Sequence, residues 1–175
     1  FPWTPLKEKR SLISYRLSDK KVDAVPGFKE TQAVFVTSID TIRTKNPIVY
    51  DKAKEAEYGN DPLALYIGAN VFPRTLIEDG YLSVVFDMPY LADFGPLHEI
   101  NLLTGVNPDD PYEVHLRHNA HKNIGPYVAA HICDFRLKDL PPTNGKEVVL
   151  TLKWYSMVSG KVESAQFKYR SREDW

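Results

Sequence analysis

Residues 127–137 alternate as a pleated strand does. Tyr127, Ala129, His131, Cys133, Phe135 and Leu137 fall on one side, and Val128, Ala130, Ile132, Asp134 and Arg136 on the other. The same period of two returns from Val148, where Val148, Leu150, Leu152 and Trp154 make an apolar face. It resumes after the short Ser/Gly segment 156–160 as Ala165, Phe167 and Tyr169 against Gln166, Lys168 and Arg170. Two alternating runs joined this way predict a hairpin. Upstream, 12–17, 33–42, 63–67, 81–88 and 112–118 are further candidate strands, rich in Val, Ile, Phe, Tyr and Thr.

Between these runs lie the breakers. Thirteen prolines and nine glycines are spread along the chain and leave little room for long helices before residue 142. Pro96 followed by Leu97, Ile100 and Leu103, with Gly105 as the stop, predicts one or two helical turns. The polar stretch 51–58 has good helix formers and no apolar stripe, which suits a loop with a turn of helix. About eight short strands separated by turn signals predict an all-β, antiparallel β-sandwich with at most one or two short helical turns. A closed β-barrel is the alternative. No repeat or boundary is visible, so 1–175 is expected to be a single domain.

Charge narrows the function classes. Twenty-two Lys and Arg against 23 Asp and Glu give a net charge of −1, which argues against nucleic acid as a partner. No apolar run approaches the ~20 residues of a membrane-spanning helix. The single cysteine, Cys133, excludes an intramolecular disulfide. The chain starts Phe1-Pro2-Trp3 without an initiator Met and has no Asn-x-Ser/Thr acceptor, which favours an exported bacterial protein, periplasmic or at the cell surface, over a cytoplasmic one.

The usual catalytic signatures are missing: no Gly-x-Ser-x-Gly, no glycine-rich phosphate loop, no Cys-x-x-Cys. His98-Glu99 opens like a metalloprotease motif, but Leu102 stands where the second histidine belongs. Four of the five histidines, His115, His118, His121 and His131, lie within residues 115–131, and Cys133 follows. Such residues could ligate Zn or Cu. However, His115 and His118 fall on opposite faces of an extended 112–118, and His131 and Cys133 share a face with core residues. The expected state is therefore no metal and no other cofactor. The segments 107–111 and 59–62 carry calcium-type oxygens but have the composition of simple turns.

The reading that remains is a non-enzymatic module that binds a protein partner through loops and a sheet face or edge. The segment 89–111, rich in Pro, Gly and aromatics and long for a hairpin turn, is the expected contact region. Tyr90, Asp93, Phe94, His98 and Tyr112 are its candidate binding residues. Two alternatives stand beside it: a carbohydrate-binding sandwich that stacks sugars on loop Tyr and Trp, and a metal-dependent enzyme or metal carrier built on His115, His118, His121, His131 and Cys133.

Overall fold

In the computed structural model, which describes residues 10–28, 31–92 and 94–173, the alternating stretches are strands. They run β1 (Ser11–Leu17), β2 (Val34–Thr41), β3 (Arg43–Lys45), β4 (Ile48–Val49), β5 (Ala64–Leu65), β6 (Leu76–Glu78) and β7 (Tyr81–Tyr90). There follow β8 (Glu99–Thr104), β9 (Glu113–Asn119), β10 (Tyr127–Arg136), β11 (Val148–Tyr155) and β12 (Val162–Tyr169). The described helical residues are a 3-10 turn, Lys52–Lys54, capped by the Asp51 carboxylate on the Ala53 N–H, and one turn of α-helix, α1 (Glu55–Tyr58). That agrees with the reading of 51–58 as a loop with a turn of helix.

The contacts of the backbone divide the chain into units 1–43 and 44–175, a boundary that no Pro/Gly-rich linker marks. The first unit is an antiparallel hairpin of β1 and β2 with a bulge between Ser14 and Tyr15. The second is a sandwich of two five-stranded sheets. One has the order β3-β10-β7-β5 with β6 also on β7, and the other has the order β12-β11-β9-β8-β4. Both orders are open at their ends, so the barrel alternative is not realised.

The sheets meet on the faces that the alternation marked. Leu82, Val84 and Phe86 of β7 and Cys133 and Phe135 of β10 pack against Leu102, Val114, Leu116, Leu150, Leu152 and Trp154 from the other sheet. Val148, Ala165 and Phe167 join this core half-buried, and the buried Tyr169 donates its hydroxyl to the Leu137 carbonyl at 3.2 Å. The hairpin of β11 and β12 is antiparallel throughout, from Val148 opposite Tyr169 to Tyr155 opposite Val162.

Two expectations need correction. The pairing is not wholly antiparallel: β9 runs parallel to β11, and β4 to β8. After β9 the chain crosses to β10 in the opposite sheet and then crosses back. Two crossings restore the original direction, so β11 enters beside β9 pointing the same way. The helical turns expected after Pro96 are instead β8, with Ile100 opposite His118 and Leu102 opposite Leu116. Asn101 through Thr104 are all buried, and a strand buried on both faces loses the alternation that separates it from a helix.

Candidate functional site

The segment 89–111 is not one long loop. It holds the end of β7 and all of β8, which leaves connections at 91–98 and 105–112. These lie at opposite ends of β9. The first connection lies at the end where β9 finishes and β10 begins, while Tyr112 directly precedes Glu113 at the start of β9. At ~3.3 Å per residue, the strand holds Tyr112 roughly 20 Å from His118. There its hydroxyl donates to the Pro141 carbonyl at 3.3 Å and its ring meets Tyr169. Tyr112 therefore does not share a site with Tyr90, Phe94 and His98. Asp93 lies outside the described residues.

The other three lie on or beside the first connection, whose backbone is held by a residue the sequence did not single out. Asn123, in the connection 120–126, is buried at 6% exposure. Its Oδ1 accepts from the N–H of Leu91 (3.2 Å) and of Ala92 (3.1 Å), and its Nδ2 donates to the carbonyls of Ala92 (3.2 Å) and Pro96 (3.4 Å). The Asn123 carbonyl also accepts from Leu91 N–H at 3.1 Å. The packing is close enough to require glycine twice. A Cβ on Gly95 would lie 2.5 Å from Asn123 Cγ, and one on Gly125 would lie 2.7 Å from Leu91 Cα. Tyr90 closes the base, with its ring 5.6 Å from that of Tyr127.

The loop fixed in this way turns apolar side chains outward. Phe94 is 103% exposed and Leu97 87%, with Leu91, Ile124, Tyr127 and Val128 also exposed. Scattered apolar residues on a surface mean little, but large ones grouped on a rigid loop are the composition of a binding surface.

Beneath the loop the two sequence-selected histidines meet. His98 Nδ1 lies 2.9 Å from His118 Nε2, and His118 Nδ1 lies 3.4 Å from the Pro62 carbonyl. A carbonyl only accepts, so His118 carries its proton on Nδ1 and its Nε2 accepts from His98 Nδ1–H. His98 Nε2 is buried without a hydrogen-bond partner among the described residues. Burial, and then the neighbouring His98, push the His118 ring down to about 4.

The remaining candidate metal ligands diverge. His115 and His118 take opposite faces of β9, as their spacing implies. His115 Nε2 meets Glu113 on the outer side at 2.9 Å, beside Lys153, which contacts the same carboxylate at 2.8 Å. Burial raises the Glu113 carboxyl, but hydrogen bonds from His115, Lys153 and Asn107 outweigh it and hold the group down to about 2. His121 is exposed in the loop, 3.6 Å from Glu99. His131 packs against Phe86, and Cys133 belongs to the core. Among the described residues no three His, Cys, Asp or Glu side chains converge to hold an ion. In 107–111 the calcium-type oxygens serve turns, Asn107 Oδ1 accepting from Asp109 N–H and Asp110 Oδ1 from Tyr112 N–H, whereas in 59–62 Asp61 Oδ2 accepts from the distant Ala120 N–H at 2.7 Å.

Several solved structures share this architecture. A protein from Parabacteroides distasonis described as toxin-related superposes with TM-score 0.74 at 26% identity, covering 97% of this chain and 77% of the other. A protein of unknown function from Bacteroides vulgatus gives 0.70 at 17%, with 95% and 73% covered. A NigD-like immunity protein from Bacteroides caccae gives 0.66 at 15%, with 97% and 80% covered. The search of curated proteins finds no match. The model of the NigD-like C-terminal beta sandwich domain matches residues 46–169, which span both sheets and the clamped loop. The chain thus belongs to the family of proteins that carry the NigD-like C-terminal beta sandwich domain.

Proposed function

We propose that the protein is a non-enzymatic binding module, exported from a bacterial cell, whose loop end engages a protein partner. One observation carries the reading: Phe94 and Leu97 stand exposed on a loop held by the four side-chain hydrogen bonds of buried Asn123. A loop backbone already held by hydrogen bonds has less conformational entropy to lose when a partner covers its apolar side chains. The surroundings suit a protein better than a sugar. The exposed side chains are mostly aliphatic, and the aromatic pair Tyr90–Tyr127 is tilted at 38°, so its two rings do not make one continuous flat face for a sugar. The immunity-protein name belongs to the Bacteroides caccae neighbour, and at 15% identity the likeness carries the fold alone.

The test is a photo-crosslinking residue placed at position 94, with a second at exposed Val149, near the start of β11 and so toward the opposite end of the sandwich. The reading expects a discrete protein adduct from position 94 that is absent from position 149 and is lost with Leu97→Ser. Adducts equal at the two positions, or glycan binding abolished by Tyr127→Ala, would replace it.

A further inference from the structure

The two open sheets of the sandwich leave four edges, and three of them are blunted. On one sheet β4 is two residues long, and on the other β5 is two and β6 three. The eight-residue β12 is long, but it carries Glu163 and Lys168, the latter paired with Glu147 at 2.9 Å. Short strands and edge charges are the ordinary means by which a sheet avoids adding another strand.

The fourth edge ends in a short strand too, but the stretch that this strand leaves uncovered carries no charge. Strand β10 is ten residues long, and the strand on its far side from β7, β3, is three. Arg136 reaches Asn46, the residue after β3, at 3.5 Å, which places β3 at the C-terminal end of β10. Nine residues earlier, roughly 30 Å away along the strand, Tyr127 begins a stretch that pairs with β7 on one side and with no strand of its sheet on the other. The stretch 127–131 reads Tyr-Val-Ala-Ala-His, with no Lys, Arg, Asp or Glu, and all but Ala129 are exposed. A row of unpaired backbone donors and acceptors with apolar side chains is a template for an extended strand.

We infer that this edge pairs with the same edge of a second copy of the chain, antiparallel about a two-fold axis at Ala129. The segment is self-complementary in that register. Ala129, the smallest and least exposed of the five, meets its own copy at the axis. Val128 then faces Ala130, and Tyr127 faces His131, with no like charges opposed. A two-fold pairing uses one patch twice, which is the commonest way soluble chains form dimers. The pairing would join the β10 sheets of two sandwiches into one continuous sheet. Tyr127 and Val128 adjoin the partner surface, but its anchors Phe94 and Leu97 lie outside the paired segment, so either reading can fail without the other.

The register makes the test specific, because a residue at 128 in one copy faces 130 in the other. Sedimentation velocity over a dilution series should show a dimer for the unaltered chain. Val128→Lys with Ala130→Lys opposes like charges twice and should weaken the dimer at least about tenfold. Val128→Glu with Ala130→Lys opposes unlike charges twice and should keep it. Both positions are exposed, and within one copy Ala130 lies opposite Asp87, so the introduced lysine meets an acid in the monomer too. Unchanged circular dichroism and melting would confirm that each variant folds. A monomer at all concentrations would overturn the inference, as would a dimer indifferent to the double lysine variant or one broken equally by both pairs.

Discussion

The clamp at the loop end makes a quantitative claim about two residues far apart in sequence. A Cβ added at Gly95 would sit 2.5 Å from Asn123 Cγ, 2.5 Å from Nδ2 and 2.6 Å from Oδ1, about 1 Å inside ordinary contact. The Gly95 φ is not in the left-handed region, so alanine meets no backbone objection there. The whole penalty of Gly95→Ala must come from moving a side chain that four hydrogen bonds hold in place. Overpacking of this kind costs about 1–3 kcal/mol. Asn123→Ala alone forfeits those bonds. Leu91 N–H keeps the Asn123 carbonyl, and the Ala92 groups lie near solvent, so the expected cost is again about 1–3 kcal/mol. In the double variant the obstacle is gone. Gly95→Ala should then be neutral, or stabilising by about 0.4–1 kcal/mol, because alanine restricts the unfolded chain more than glycine does. The interaction energy of the cycle should thus be at least as large as the cost of Gly95→Ala with its sign reversed, about −1 to −4 kcal/mol. Urea unfolding of the four proteins measures it, and hydrogen exchange at Leu91 and Ala92 reports whether the loop itself opens. Additivity within about 0.5 kcal/mol would refute the clamp, since independent sites add to that precision.

Further expectations concern the core and the buried histidine. Leu150→Ala, at a fully buried position where both sheets meet, should destabilise by about 2–5 kcal/mol in denaturant unfolding, while Val149→Ala, at 54% exposure on the same strand, should cost well under that. Equal losses at the two positions would mean the wrong face of β11 had been assigned to the core. The His118 ring is held at about 4 in the fold against 6.5 for the free group, so the unfolded chain binds its proton first as pH falls. Stability should be unaffected by this group above pH 6.5 and should fall by about 3 kcal/mol between 6.5 and 4. His118→Gln should flatten that window. An equally steep fall in the variant would assign the loss to other groups.

The parts of the fold legible in the sequence were those where one face of a strand is dry and the other wet. Leu150, Leu152 and Trp154 alternate with the half-buried Thr151, Lys153 and Tyr155, so both the β11–β12 hairpin and its inward face can be read directly. In β10 Cys133 and Phe135 belong to the core as the alternation implies, although Asp134 between them is buried as well. Legibility fails where burial is two-sided, as in β8, and where strands are only two or three residues long. Strands such as β4 and β5 exist because a longer neighbour offers hydrogen bonds, and nothing in two residues announces that. The parallel pairing of β9 with β11 was hidden for another reason: it follows from the chain crossing the sandwich twice, a property of the whole path and not of any segment.

The candidate site divides along the same line. That Phe94 and Tyr90 stand among breakers could be seen in the sequence, and so could the placing of His115 and His118 on opposite faces of a strand. What makes the loop a surface with a fixed shape could not be seen, because it depends on Asn123 bonding to Leu91 thirty-two residues away. An asparagine before Ile124-Gly125-Pro126 has the composition of any turn, and Gly95 looks like a generic breaker. Only their proximity shows that one amide side chain occupies the space a Cβ would need and satisfies four backbone groups at once. The exposure of Phe94 has its significance from that proximity. The clamp holds the backbone on either side of Phe94, at Ala92 and at Pro96, and the ring stands fully exposed between them. Its apolar surface then stays in water unless another molecule covers it, at roughly 25 cal/mol per Å² removed from solvent.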